Sequence, residues 1–286
     1  MIETNVDRLI ILSVMGEVHS PHATSIPYRI AHDGRPFVLP GTGGITYNLR
    51  VGDSAYGWMA DHVEPGVTVR NPSEDENHSL NILACVGNEA RVVSGDAKGE
   101  VGVITGKHGG SEHVLVDFSP EVKEKLVHGD RVLIKAWGRG LELANFPEVK
   151  VMNLSPNLLS AMGLQGEEGK LLVPVAGIVP AELMGSGVGA TSERGDYDIM
   201  TADKEVLKEN GLDQLRLGDI VAIRDHDSSY GRNYRRGAMT IGIIIHADCL
   251  GAGHGPGVTT LLTSPGPKIV PSLVERANIA DYLDLR

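Results

Sequence analysis

Residues 219–248 read DIVAIRDHDSSYGRNYRRGAMTIGIIIHAD. Two apolar runs, Asp219–Asp227 and Ala238–Asp248, flank a polar segment at 228–237. A parallel crossover needs about a dozen residues or more, so the economical reading is an antiparallel hairpin with its tip at 228–237. In that register Asp227 lies opposite Ala238, and Asp225 opposite Thr240. His246 and Asp248 then fall on the order of 30 Å down the second strand from the tip. The charges of the tip and the His246 group are therefore separate places unless the strand bends sharply or another subunit intervenes.

Working outward, the same short apolar, β-branched runs bounded by Gly, Pro, Asp or Asn recur along the chain. Leu9–Val14, Ile45–Leu49, Val67–Arg70, Ala90–Val93, Val101–Thr105 and Val114–Phe118 all read as strands. Gly106-Lys107-His108-Gly109-Gly110-Ser111 separates the last two, which predicts a hairpin with a glycine-rich tip. Ser119-Pro120-Glu121 opens a short helix to Leu126, with a serine cap and proline at the first helical position. A strand follows at Arg131–Ala136. Ala202–Asn210 reads as a helix closed by Gly211, and the tail from Ser272 to Leu285 has helical spacing.

Gly129-Asp130-Arg131-Val132 and Gly218-Asp219-Ile220-Val221 repeat one pattern. They are either related halves or a common turn-into-strand idiom. The Pro-containing stretch Leu143–Pro156 is the natural boundary, giving a β-rich N-terminal domain at 1–146 and an α+β C-terminal domain at 147–286. The expected fold is α+β, dominated by mixed and antiparallel sheet, barrel-like, with short peripheral helices.

Composition narrows the function classes. The chain has 286 residues, 41% hydrophobic and 22% charged, with 36 glycines and only 4% aromatics. That describes a packed core of small aliphatics with many tight turns. A net charge of −11 disfavours sequence-independent nucleic-acid binding, because no basic face displaces phosphate counterions. No basic-then-apolar leader is present, and no apolar run approaches the ~18 residues of a span, so the chain reads as cytoplasmic and not membrane-bound. Cys85 and Cys249 match neither a zinc ribbon nor a redox pair and read as buried free thiols.

Chemistry concentrates after the strand Met239–Ile245. His246 and Asp248 are two apart and share a face, and the turn Gly251–Gly257 can return His254 to them. Two imidazoles and a carboxylate suit Zn²⁺, Mn²⁺ or Fe²⁺; the bland alternative is a polar strand end with His254 capping a turn. At the hairpin tip, Arg224, Arg232, Arg235 and Arg236 could clamp an anion beside Asp225 and Asp227, or form a solvated tip whose charges cancel. Lys107 and His108 could present a cation and N–H groups to an anion. Asp61-His62 with Glu64 has the composition of an oriented base, but adjacent strand residues face opposite sides. Asp196 and Asp198, followed by Asp203, could supply carboxylates for a cation, Asp203 serving instead the nearby helix start. Gly185-Ser186-Gly187-Val188-Gly189 lacks dinucleotide spacing, and no Gly-x-Ser-x-Gly elbow, Walker loop or His-Glu-x-x-His occurs.

Asp61-His62-Val63-Glu64-Pro65-Gly66, Ser94-Gly95-Asp96-Ala97-Lys98-Gly99, Thr105-Gly106-Lys107-His108-Gly109-Gly110 and Gly253-His254-Gly255-Pro256-Gly257 together resemble a bacterial and archaeal family, domain of unknown function 4438. The resemblance spans most of the chain and implies a soluble prokaryotic protein of this length, without implying a reaction. A looser similarity to acetamidase and formamidase-type amide hydrolases lies in the β-rich, glycine-studded layout, with no motif aligned residue by residue. The functional expectation is a metal-assisted hydrolase of a small polar or anionic metabolite, with a C–N bond as the suggested target. In it His246, Asp248 and His254 bind the metal, His108 or Asp227 relays protons, and Lys107, Arg224 or Arg232 orients the substrate. The alternative is a non-catalytic small-anion-binding protein. A homo-oligomer is expected on either reading.

Overall fold

The computed structural model describes residues 2–21, 26–187 and 191–285; part of the glycine-rich segment 185–189 lies outside them. Six strands of the first half, Leu12–Val18, Gly66–Arg70, Glu89–Val92, Val101–His108, His113–Asp117 and Arg131–Ala136, close into an antiparallel barrel. Closure is made by Gly66–Arg70 pairing back onto Leu12–Val18, through Glu17 opposite Arg70 and Val18 opposite Val69. A closed barrel leaves no free edge among its members. Period-two alternation fills it: Val132 and Ile134 from one strand, Val67 and Val69 from another, and Ile104, Val114 and Val116 from the hairpin are all buried. The helix Glu74–Leu83 lays Leu80 against this core.

The second half builds a mixed sheet from Ile220–Asp227, Asn233–His246 and Gly257–Ser264, with Gly177–Val179 added in parallel at one side. Lys150–Val151 and Asp196–Asp198 share the outer side of Gly257–Ser264. Residues 220–223, 241–246 and 257–264 are buried throughout, as expected of central strands covered on both faces. Lys170–Val175 pairs with Gln165–Glu167 and, in parallel, with Ile269–Leu273. The fold is thus α+β and β-rich, with a closed six-stranded antiparallel barrel and short helices. No helix among the described residues is long and apolar enough to cross a membrane.

The expected hairpin at 219–248 forms, with a different register. Asp227 pairs with Asn233 and Arg224 with Met239, and a bulge separates the two segments. Within it Asp225 has φ +53, and its Oδ1 accepts from the Gly237 N–H at 2.7 Å. Between the pairs Arg224–Met239 and His226–Tyr234 the first strand has one residue and the second has four, so the extra residues lie on the second strand and shift every pair beyond them. The two Gly-Asp turns share a device: Asp130 accepts from Val127 N–H and Asp219 from Arg216 N–H, each after a glycine at positive φ. Elsewhere the helix expected at 202–210 is Lys204–Glu209, capped by Asp203. The helix after Ser119 is Pro120–Lys123. Only Ile279–Tyr282 of the tail is helical.

The two halves meet where Val101–His108 crosses Asn233–His246. A Cβ on Gly106 would stand 2.3 Å from Ile245, so glycine permits the close approach. The Thr259 hydroxyl completes the junction, accepting from Lys107 N–H at 3.2 Å and donating to Lys107 carbonyl at 2.9 Å. This contact puts His108, at the end of one strand, beside His246, at the end of the other.

Candidate metal centre

Residues 61–64 form an irregular segment in which His62 has φ +51. The strand alternation assumed from sequence therefore fails, and adjacent side chains meet. His62 Nδ1 donates to Asp61 Oδ1 at 2.9 Å, and Asp61 Oδ2 is paired with Arg29 at 3.2 Å. Burial disfavours a charged His62, but its hydrogen bonds to Asp198 and Asp61 outweigh it and push the imidazole up to about 12. Glu64, also buried, accepts from His108 Nδ1 at 2.5 Å, His113 Nδ1 at 3.0 Å and Gly43 N–H at 2.9 Å, and from the Thr68 hydroxyl. His108 and His113 are directly opposite in the barrel hairpin, which is why one carboxylate reaches both. Burial would raise the Glu64 carboxyl, yet these donors hold it well below the usual range.

Glu64 thus fixes the proton of His108 on Nδ1 and leaves Nε2 free. His246 is fixed the same way, donating from Nδ1 to the Ala247 carbonyl at 2.8 Å. Its ring lies 4.4 Å from that of His108, centroid to centroid. Asp196 Oδ1 is occupied by Gly109 N–H at 2.7 Å, while Oδ2 stands 3.0 Å from His246 Nε2. That pair is close but poorly aligned, so both atoms are buried without a hydrogen-bond partner. Buried polar atoms left this way are rare.

The sheet explains the convergence. Gly257 lies between Asp198 on one flanking strand and His246 on the other, and Asp196 shares the face of Asp198 because strand residues alternate. With no side chain on Gly257, its neighbours close over it: a Cβ there would fall 2.0 Å from Asp196 Oδ2 and 2.3 Å from His246 Nε2. Asp198 divides its oxygens. Oδ1 is 3.6 Å from His246 Nε2, and Oδ2 is 2.7 Å from His254 Nδ1 and 3.5 Å from His62 Nε2. Burial opposes ionisation of Asp198, but its three histidine partners hold it well below the usual range. Burial alone would keep His246 neutral, and Asp196 and Asp198 raise it to about 9.

Three groups bring ligand atoms within 4.8 Å of one another: His108, Asp196 and His246; His62, Asp198 and His246; and His62, Cys249 and His254. Their geometry is compatible with a metal ion. His254, with a third of its side chain exposed, and Arg29, half exposed, mark the open side.

Of the residues expected from sequence, His246 and His254 are brought together, around Asp198. Asp248 is not. The chain leaves the sheet after His246 to follow segment 55–63, and the Asp248 carboxylate turns to Thr201 and Lys204. His108 stands in the cluster, but its Nδ1 is committed to Glu64. Asp227 stays at the hairpin tip, accepting from Ser229 and facing Arg235 at 3.7 Å, away from the cluster's partners. Lys107 is fully buried because the strand continues past Gly106. Its Nζ donates to Asn153 Oδ1 at 2.8 Å and Glu193 carbonyl at 2.9 Å, and burial lowers it to about 7. Arg232 is spent on the carbonyls of Met184, Gly185 and Ser186, and Arg224 is exposed. Both cysteines are buried and free, Cys249 beside His62. His62, Glu64, Asp196 and Asp198 were each visible as acidic or basic residues in suggestive clusters, but nothing local tied them to His246.

A closed barrel docked on a mixed sheet, with imidazoles and carboxylates buried at the junction, defines a β-rich α+β protein built around one polar cluster. The chain belongs to the DUF4438 family: the model for its N-terminal domain matches residues 28–160, and that for its C-terminal domain matches residues 161–283. The crystal structure of a protein designated TM1086 is similar, with 52% identity, 98% of this chain and 99% of that one covered, and a TM-score of 0.94. No curated protein matches the chain.

Proposed function

We propose that the protein is a metal-dependent hydrolase of a small polar or anionic metabolite, with the cation held by His108 Nε2, His246 Nε2, Asp196 and Asp198. One observation carries the reading: Asp196 Oδ2 and His246 Nε2 are buried 3.0 Å apart with no hydrogen-bond partner. Ligands at about 2.0–2.2 Å from one ion stand roughly this far from each other. The supporting contacts fit too. Glu64 and the Ala247 carbonyl fix the imidazole tautomers, as outer partners do around metal-bound histidines. Two imidazoles with carboxylates suit Zn²⁺, Mn²⁺ or Fe²⁺. A divalent cation there would supply Lewis acidity and lower the pKa of bound water. At the open side Arg29, half exposed beside Asp61, can orient an anionic substrate.

Anion binding without turnover loses support, since Lys107 and Arg232 are both committed to backbone and amide oxygens inside the protein. The test is metal analysis of protein purified without added metal, of wild type and of His108→Ala and His246→Ala. It is followed by assay of the metal-loaded protein against small amides, ureas and related C–N compounds, anionic ones included. About one ion or more per chain in wild type, reduced in both variants, supports the metal. Stoichiometry near zero in wild type after reloading ends the proposal.

A further inference from the structure

We propose that the centre is dinuclear, with a second cation on the far side of Asp198 held by His62 Nε2, His254 Nδ1, Asp198 Oδ2 and Cys249 Sγ. The proposal rests on the metal reading above and extends it. Its first support is the way three donor atoms meet: Asp198 Oδ2 and His254 Nδ1 are 2.7 Å apart, His254 Nδ1 and His62 Nε2 are 3.1 Å apart, and His62 Nε2 and Asp198 Oδ2 are 3.5 Å apart.

Hydrogen bonds can occupy this triangle, with His62 Nε2–H and His254 Nδ1–H both directed at Asp198 Oδ2. His62 Nδ1 is committed to Asp61, so Nε2 is its nitrogen on this side. A cation would accept all three lone pairs at once, and the 3.1 and 3.5 Å spacings match the roughly 3–3.5 Å separation of ligands around one ion.

Charge gives the second support. Asp61, Glu64, Asp196 and Asp198 are all buried here, facing Arg29 and the imidazoles of His62, His108, His113, His246 and His254. Burying carboxylates is unfavourable unless they are paired or coordinate metal, and cations on the imidazole nitrogens would take over the pairing that imidazole N–H groups otherwise supply. The Asp198 carboxylate already has the form of a bridge, Oδ1 toward the His246 group and Oδ2 toward His62 and His254. Paired cations about 3.5–4 Å apart, sharing a carboxylate, clamp both the attacked and departing atoms of a hydrolytic step.

The donor set also distinguishes the two positions. Cys249 Sγ lies with His62 and His254 within 4.8 Å and accepts from Gly251 N–H at 3.2 Å. A thiolate selects Zn²⁺ or Co²⁺ over Mn²⁺ or Mg²⁺. The second position is therefore the zinc-selective one.

Protein stripped by a chelator, reloaded with Zn²⁺ and desalted is measured for zinc per chain, alongside Cys249→Ser and His254→Ala. Two zinc ions in wild type and one in each variant are expected. Loading with Co²⁺ is expected to give a near-ultraviolet thiolate-to-cobalt charge-transfer band that Cys249→Ser lacks, a readout independent of activity. One zinc in wild type, unchanged in both variants, overturns the second site and leaves the first standing. Near-zero zinc overturns both. A cobalt-loaded wild type without the thiolate band overturns the assignment of Cys249.

Discussion

Replacing Gly257 by alanine adds one methyl group to the place where the ligands meet. The new Cβ would lie 2.0 Å from Asp196 Oδ2 and 2.3 Å from His246 Nε2, while non-bonded carbon contacts settle near roughly 3.5–4.0 Å. Both ligand atoms must therefore retreat by about 1 Å or more, and metal sites tolerate displacements of only about 0.2 Å. Losing a single outer partner of a ligand costs about 10–100-fold in metal affinity. Displacing two ligands directly should cost at least about 100-fold, and the overpacking itself about 1–3 kcal/mol of stability. Thermal unfolding against Zn²⁺ or Mn²⁺ concentration reads both quantities. Wild type should gain about 2.7 kcal/mol at a hundredfold excess of metal over its dissociation constant. Gly257→Ala should melt lower without metal and fail to respond to it at the same concentration. Gly266→Ala is the control, because a Cβ there meets nothing within 4 Å. A Gly257→Ala protein with the wild-type metal response would refute the assignment of Asp196 and His246 as ligands.

Glu64→Ala removes one buried carboxylate shared by two imidazoles, a backbone N–H and a hydroxyl, and should cost about 3–5 kcal/mol in urea unfolding. Asp117 is a pH reporter remote from the cluster. Burial raises its carboxyl from 3.8 to about 6, so between those values the folded chain keeps a proton that the unfolded chain has released. Its contribution makes stability fall as pH rises through that window; Asp117→Asn should flatten this slope and be the more stable protein at pH 7, as denaturation at several pH values will show. Asp203→Ala removes the cap that accepts from Glu205 N–H and Val206 N–H, each at 3.1 Å, and should cost about 1 kcal/mol with metal binding unchanged.

Much of the barrel was legible because its strands are β-branched runs cut by turn residues, and Arg131–Ala136 matches its expected span. Closure was not legible. It depends on Val18 pairing with Val69 across a long stretch with little regular structure. The helix Glu74–Leu83 escaped notice because its sequence, EDENHSLNIL, carries no apolar stripe; it buries Asn77, Leu80 and Asn81. The register of the long hairpin was not legible: Ile220 lies opposite Ile243, two residues from its expected partner, and the irregularity at Asp225, whose positive φ no local pattern marks, shifts the tip by three more. The same blindness hid His62. Reading 61–64 as a strand sends Asp61 and His62 to opposite sides, whereas φ +51 at His62 turns the pair into a hydrogen-bonded unit.

The carboxylates show where sequence reasoning stops. The spacing of Asp196 and Asp198 already implies a common face, and so did that of His246 and Asp248. Which carboxylate belongs with His246 is decided by the strand between them. Gly257 pairs with Asp198 on one side and His246 on the other, and a glycine in that row is the only residue over which both side chains can close. Asp248 has no such neighbour, because the chain leaves the sheet after His246. The clustered side chains also divide between the halves: His62, Glu64 and His108 come from the first half, and Asp196, Asp198, His246 and His254 from the second. The Gly106–Ile245 contact and the Thr259 bridge to Lys107 fix the distance between those sets. A cation held there would join the two halves, so its binding free energy would also be docking free energy between barrel and sheet.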